Sequence, residues 1–316
     1  MPSAHELTTI GWNDAVARRW ADGRTHGLVP ARVARTDRGV ITVWPRPGVE
    51  VRATTTTAAK DTVAGDWVGL DPLIDRVDRI LERSSAFVRR GARNSHRPQT
   101  IAANMDVVLL VEAADPKVNQ QRLERALVLA HQSGAEPVVV VTKIDLTDDR
   151  GNRAVADATE VSGGVDVIAI SNTTGRGLDA LRSRLTTGTT VAALGASGVG
   201  KSSLVNALSG AQVQLTGGVR RGDAKGKHTT TASQLIAVDD LLIIDTPGIR
   251  AIALWGDGTG LDLTFPEIAA AAARCRFDDC QHDNEPDCAV RAGVAAGEID
   301  RRRLDHYLQL WGELSA

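Results

Sequence analysis

The most constraining feature of this 316-residue chain is Gly195-Ala196-Ser197-Gly198-Val199-Gly200-Lys201-Ser202, followed by Ser203. The spacing is Gly-x4-Gly-Lys-Ser, with an apolar run at 190–194 before it and an amphipathic run at 202–208 after it. A glycine-rich turn between strand and helix lets backbone N–H groups close around a phosphate where side chains would clash. The start of the helix adds a field that favours an anion. Lys201 is placed to reach the β- and γ-phosphates of a nucleotide, and Ser202 to ligate Mg²⁺. A loop of this kind belongs at the carboxyl end of a strand in an α/β sheet.

The surrounding pattern agrees. Apolar runs at 106–112, 137–142, 165–171, 190–194, 235–238 and 241–245 alternate with helical texture at 121–132, 177–185 and 202–208. Continuous Val/Ile/Leu runs predict a mostly parallel sheet covered on both faces. Upstream, short β-rich runs at 29–35, 40–44, 49–53, 66–70 and 80–88 alternate with turn signals. They predict a five-stranded barrel of the oligonucleotide/oligosaccharide-binding (OB) type. The expected organisation is a polar extension over 1–27 with a helix near 12–20, then a barrel and basic linker over 28–97. An α/β P-loop domain over 98–264 and a helical metal-binding domain over 265–316 complete it.

The formal net charge is −2, so the average composition calls for no polyanionic partner. Any nucleic-acid surface must come from local clusters, namely Arg89, Arg90, Arg93, His96 and Arg97, the stretch 220–227, and Arg301 to Arg303. No apolar run approaches the roughly 18 residues of a membrane span. The first residues lack the apolar core of a secretory signal, which predicts a cytoplasmic location.

Base choice comes from two further motifs. Thr142-Lys143-Ile144-Asp145 ends the run at 137–141 and offers Asp145 to the N1 and N2 donors of guanine, with the Lys143 stem able to lie along the ring. Ser171-Asn172-Thr173-Thr174-Gly175 ends the run at 165–170 and offers a backbone N–H to guanine O6. Asp245-Thr246-Pro247-Gly248 ends the run at 241–244, with Asp245 placed to hold Mg²⁺ through a water and the Gly248 N–H to sense the γ-phosphate. A threonine of His228-Thr229-Thr230-Thr231 is expected to complete the Mg²⁺ shell while the γ-phosphate is present. In an ordinary Ras-like GTPase the phosphate loop precedes the base-reading motifs; here it follows them. The reading is a circularly permuted GTPase. Ile249 stands where many GTPases carry a water-orienting glutamine, so turnover should be slow until a partner, or His228, positions the water.

All three cysteines lie in Cys275-x4-Cys280-x-His282-x5-Cys288. Three thiolates and an imidazole make a closed tetrahedral set for one structural Zn²⁺ per chain, with His306 as an alternative fourth ligand.

Together these motifs resemble the ribosome small-subunit-dependent GTPase A family (RsgA/YjeQ). The likeness spans the barrel, the permuted order of the motifs and the run from Cys275 to Cys288. It implies a GTP hydrolase using GTP/GDP, Mg²⁺ and Zn²⁺ that binds the small ribosomal subunit and its RNA late in maturation. It also implies stimulation by that subunit and Thr230 as the threonine that senses Mg²⁺; the chain itself is expected to be a monomer. The family usually has Asn at position 142, so the contact made there by an amide is altered. An alternative is an RNA-binding assembly scaffold in which nucleotide is structural rather than hydrolysed.

Overall fold

Short β-branched runs broken by turns can satisfy their backbone only by pairing, and in the first hundred residues they pair into a ring. The computed structural model describes residues 4–23, 25–37, 39–89, 98–209, 233–245, 254 and 257–315. Strands β1 (Val29–Asp37), β2 (Val40–Arg46), β3 (Val49–Thr55), β4 (Trp67–Asp71) and β5 (Arg76–Ile80) run in the order β1-β2-β3-β5-β4, and β4 returns to β1. Every neighbour is antiparallel except β3 and β5, which are parallel. Alternation along the strands sends Val33, Val43, Ala53, Val68 and Val77 into the barrel.

The fifth strand differs from expectation. The run at 80–88 is two elements, because Arg83 leaves the ladder to form a bidentate pair with buried Asp66. Arg76–Ile80 closes the barrel, whereas β6 (Ala86–Arg89) pairs with β7 (Gln99–Ala103) in a separate ribbon. Phe87 and Ala102 of that ribbon pack in the core beneath the α/β sheet.

That sheet contains β8 (Val107–Ala113), β9 (Glu136–Thr142), β10 (Val167–Ala169), β11 (Thr190–Leu194), β12 (Gln234–Val238) and β13 (Leu241–Asp245). The order is β10-β9-β8-β11-β13-β12, parallel throughout except for the β12–β13 hairpin. Helices α3 (Gln120–Ser133) and α4 (Asn152–Val161) cover one face. Helices α5 (Leu178–Arg182) and α6 (Lys201–Ser209) cover the other. Burial on both faces explains why β8 and β9 are nearly unbroken Val/Leu runs.

The amino-terminal segment is more than a polar extension. It forms α1 (Ala4–Thr8) and α2 (Asp14–Asp22), the latter capped by Asn13, whose Oδ1 accepts from Val16 N at 3.0 Å. Val16, Trp12 and Trp20 pack on Trp67 and Leu81, with the Trp12 and Trp67 rings edge to face at 5.1 Å. Gly188, at the foot of β11, has φ +81°, and a Cβ there would stand 2.0 Å from the Thr8 carbonyl. The segment is therefore wedged where barrel and sheet meet.

One side chain spans that junction. Arg32 of β1 is 2% exposed, lies over the Trp67 ring at 5.1 Å, and donates from Nη2 to the Asn104 carbonyl (2.9 Å) and to Thr190 Oγ1 (3.0 Å). Asp106, which accepts from Thr190 N at 2.7 Å, supplies opposing charge. Burial pulls the guanidinium pKa down to about 10, which still leaves a cation at neutral pH. The barrel is also joined edge to edge, Arg35 of β1 opposing Gln234 of β12.

After the sheet come α7 (Thr259–Thr264), α8 (Pro266–Ala272), α9 (Ala289–Ala296) and α10 (Arg301–Ser315). Phe265, Leu304, Tyr307 and Leu310 bury themselves in the α3 side of the core. Among the described residues no helix is long and apolar enough to cross a membrane. Arg32→Ala should destabilise the chain by about 2–4 kcal/mol, because it leaves a cavity and unpaired buried acceptors. The expected readout is a lower urea midpoint, with the barrel and the α/β domain losing their joint transition.

Candidate functional site

Parallel strands deliver their following loops to one end of the sheet, and the predicted nucleotide motifs sit there. Gly195 leaves β11 so close to β8 that a Cβ would fall 2.3 Å from the Val111 carbonyl. Gly198 and Gly200 have φ of +81° and +101°, a backbone that glycine alone adopts without strain. The loop then enters α6, with Lys201, Ser202 and Ser203 in its first turn, where unpaired N–H groups favour an anion. Lys201 Nζ donates to the carbonyls of Gly195 (2.8 Å) and Ala196 (2.7 Å), which puts the ammonium across the loop it must serve. Ser197 and Val199 lie between the glycines. Asp245, 9% exposed, ends β13, the parallel neighbour of β11.

The two motifs expected to read the base follow β9 and β10 at the same end of the sheet. Thr142 is fully buried; its hydroxyl lies 2.5 Å from the Val199 carbonyl and 3.2 Å from that of Glu112. Lys143 adopts φ +60°, which turns the chain into a short helical turn where Asp145 is exposed. Buried Ser171 closes the next turn: its Oγ accepts from Thr174 N at 3.1 Å and its carbonyl from Gly175 N at 3.0 Å. Asn172 Nδ2 donates to the Gly200 carbonyl at 3.3 Å. Both base loops thus touch the phosphate loop directly.

The second cluster lies between α8 and α9. The sulfurs of Cys275 and Cys288 are 3.9 Å apart, and His282 Nδ1 is 3.7 Å from the first and 3.6 Å from the second. With Cys280 Sγ, all four ligand atoms lie within 4.8 Å of one another. A tetrahedral zinc with Zn–S near 2.3 Å and Zn–N near 2.0 Å needs edges of about 3.5–3.8 Å. The donor set therefore fits zinc. Glu285 folds the intervening turn by accepting from Gln281 N and Asp283 N, and these N–H groups hold its carboxyl below the usual range. Burial lowers the His282 pKa, favouring the neutral imidazole that can ligate.

Comparison with known proteins places this architecture. The family model described as RsgA GTPase matches residues 80–255. The Small ribosomal subunit biogenesis GTPase RsgA of Streptomyces avermitilis is 41% identical over 98% of this chain and 86% of its own length. The chain belongs to the RsgA GTPase family. As a member it is a GTPase, a GTP hydrolase. The protein of the same name from Methanosarcina acetivorans is 40% identical, over 96% of this chain and 84% of its own. Among solved structures, YjeQ from Thermotoga maritima superposes with a TM-score of 0.68 at 26% identity, covering 91% of this chain and 98% of that one. YloQ, a circularly permuted GTPase, shares the fold with a TM-score of 0.63 at 23% identity, over 92% and 96% of the two chains.

Within this family fold, several sequence expectations can be placed. His228, Thr230, Gly248 and Ile249 lie outside the described residues, as do Arg90, Arg93, His96, Arg97 and the stretch 220–227. His306 is not near the cysteines' fourth position: its Nδ1 meets Glu124 Oε2 of α3 at 2.5 Å, both side chains buried. Arg303 does not face outward as a phosphate contact. It is 13% exposed, pairs with Glu124 (2.8 Å) and Glu267 (2.6 Å), and lies over the Phe265 ring at 4.8 Å. Glu124 was missed as the group that ties α8 and α10, beside the Cys3His cluster, to α3. Its signal was a carboxylate on the apolar stripe of Leu123, Leu127 and Val128. Elemental analysis should find about one zinc per chain. Chelation should lower the melting temperature, since the metal supplies folding free energy to so small a segment. A metal-free purified protein would contradict the assignment.

Proposed function

We propose that the site holds GTP with Mg²⁺, hydrolyses it, and couples this turnover to the late maturation of the small ribosomal subunit. The observation that carries the reading is the meeting of three loops at one end of the sheet, two suited to guanine and one to phosphate. Relatives 41% and 40% identical over nearly the whole of this chain are named for small-subunit biogenesis, which supports the reading. In this reading the exposed Asp145 carboxylate accepts from guanine N1 and N2, the Lys143 stem covers the ring, and a backbone N–H of the 171–175 turn meets O6.

Lys201 and the N–H groups from Gly198 to Ser203 take the β- and γ-phosphates. Ser202, Thr230 and Asp245 would hold Mg²⁺, and its chemistry is to neutralise charge on the phosphate oxygens. The Gly248 N–H reports the γ-phosphate. The apolar Ile249 cannot orient an attacking water, so the chain alone turns over slowly and the subunit, or His228 brought into place by it, completes the site. The barrel and the basic residues around 89–97 and 220–227 supply the surface for ribosomal RNA.

Asp145→Ala should weaken GTP binding roughly 10- to 150-fold, the equivalent of the about 1.5–3 kcal/mol of a charged hydrogen bond, and abolish preference over ATP. Equal affinity of the wild-type protein for GTP and ATP would refute the base assignment. Adding purified small subunits should raise GTP turnover at least about tenfold, the direction expected when a partner supplies what an active site lacks. An unchanged rate would remove the coupling to the ribosome.

A further inference from the structure

The contacts between the loops do more than bring them close. A trans peptide is planar, so its carbonyl and N–H point in opposite directions. Fixing the Val199 carbonyl therefore fixes the Gly200 N–H, and fixing the Gly200 carbonyl fixes the Lys201 N–H. Thr142 Oγ1 holds the first carbonyl at 2.5 Å and Asn172 Nδ2 holds the second at 3.3 Å. The Gly200 carbonyl also accepts from Leu204 N at 2.8 Å as the first bond of α6. Glycine's freedom at position 200, with φ +101°, leaves the plane before it free to turn unless something outside the loop restrains it, while the plane after it is held jointly by α6 and Asn172.

We propose that Asn172 and Thr142 form a latch by which the base-reading loops orient the Gly200 and Lys201 amides for phosphate. Asn172 is thus a positioning residue for phosphate, a role additional to its loop's part in reading the base. The inference rests on the nucleotide reading above. The two side chains divide the work because a threonine hydroxyl has one proton, and its shorter contact is to the Val199 carbonyl, 2.5 Å against 3.2 Å to that of Glu112. A Cβ on Gly200 would stand 3.2 Å from Asn172 Nδ2 and 3.5 Å from Thr142 Oγ1, so both side chains face the same peptide. The contact assigns the amide as a donor here, because turned over its oxygen would oppose the Gly200 carbonyl. The Asn172 Oδ1 is buried with no hydrogen-bond partner among the described residues, a cost the fold accepts to keep Nδ2 on Gly200.

At this junction position 142 supplies a hydroxyl, and the amide comes from the neighbouring loop. An asparagine at 142 is one atom longer and, with residue 172 shortened, has the reach and the donors to hold the peptide itself.

The test is a GDP titration of the full chain and its variants, with melting of the nucleotide-free proteins to verify folding. Asn172→Ala should weaken GDP binding about tenfold, the order expected for one hydrogen bond. Asn172→Asp should be weaker still, because it sets an anionic acceptor against the Gly200 carbonyl; a space-filling role alone predicts the reverse order. Thr142→Val keeps the shape and removes the hydroxyl, so it should bind GDP less tightly than Thr142→Ser. The double variant Thr142→Asn with Asn172→Ala should regain most of the affinity lost by Asn172→Ala. The inference is overturned if Asn172→Asp binds GDP as well as Asn172→Ala, if Thr142→Val matches Thr142→Ser, or if the double variant recovers nothing. A wild-type chain that failed to bind GDP would instead overturn the nucleotide reading itself.

Discussion

The parallel arrangement of β8, β9, β10, β11 and β13 is the constraint on which the rest of this molecule depends. Parallel strands cannot be joined by tight turns, so every connection crosses a face of the sheet and both faces become buried. Every loop that follows a strand then emerges at one end. Nothing in that arrangement depends on which strand comes first, so a chain that starts with the base-reading strands builds the same site as one that starts with the phosphate loop. What the permuted order changes is the attachment of other parts. The barrel enters ahead of β8, β9 and β10, and the helices around the Cys3His cluster follow the strand that ends in Asp245.

Those attachments use two guanidinium groups in the same manner, one buried and one half-buried. Arg32 joins the barrel to the feet of β8 and β11, and Arg303 joins α10 to Glu124 on α3. A buried guanidinium is costly to desolvate and tolerates only a surrounding that satisfies it. Each arginine thereby favours one docking geometry over a merely greasy contact that could slide. Apolar burial around Trp67 in the first case and Phe265 in the second supplies the bulk of the attraction.

Much of this was legible from the residues. The Gly-x4-Gly-Lys-Ser spacing, the unbroken Val runs and the Cys3His spacing each have a narrow physical meaning, and the strands, the sheet and the cluster lie where they indicate. The misreadings share a cause. Residues 80–88 have strand composition throughout, and only the pairing of Arg83 with Asp66, seventeen positions away, divides them. Arg303 and His306 read as surface charge and spare ligand because their partner, Glu124, lies 179 and 182 positions upstream. Local composition carries periodicity and turn chemistry, but of long-range charge pairing it shows at most a carboxylate on an apolar stripe, as at Glu124, and never the partner. The amino-terminal tryptophans were hidden in the same way, diluted among polar neighbours until Trp67 and Leu81 gave them a surface.

The bridge between Arg35 and Gln234 has a further consequence. A sheet of this kind ends in strands whose outward N–H and C=O groups invite a strand from another molecule. At one margin stands β10, only three residues long, too short to template much pairing. At the other stands β12, and the barrel wall meets it at Gln234, so an incoming strand cannot run its length. The domain that gives the chain a second surface also guards the first from self-association.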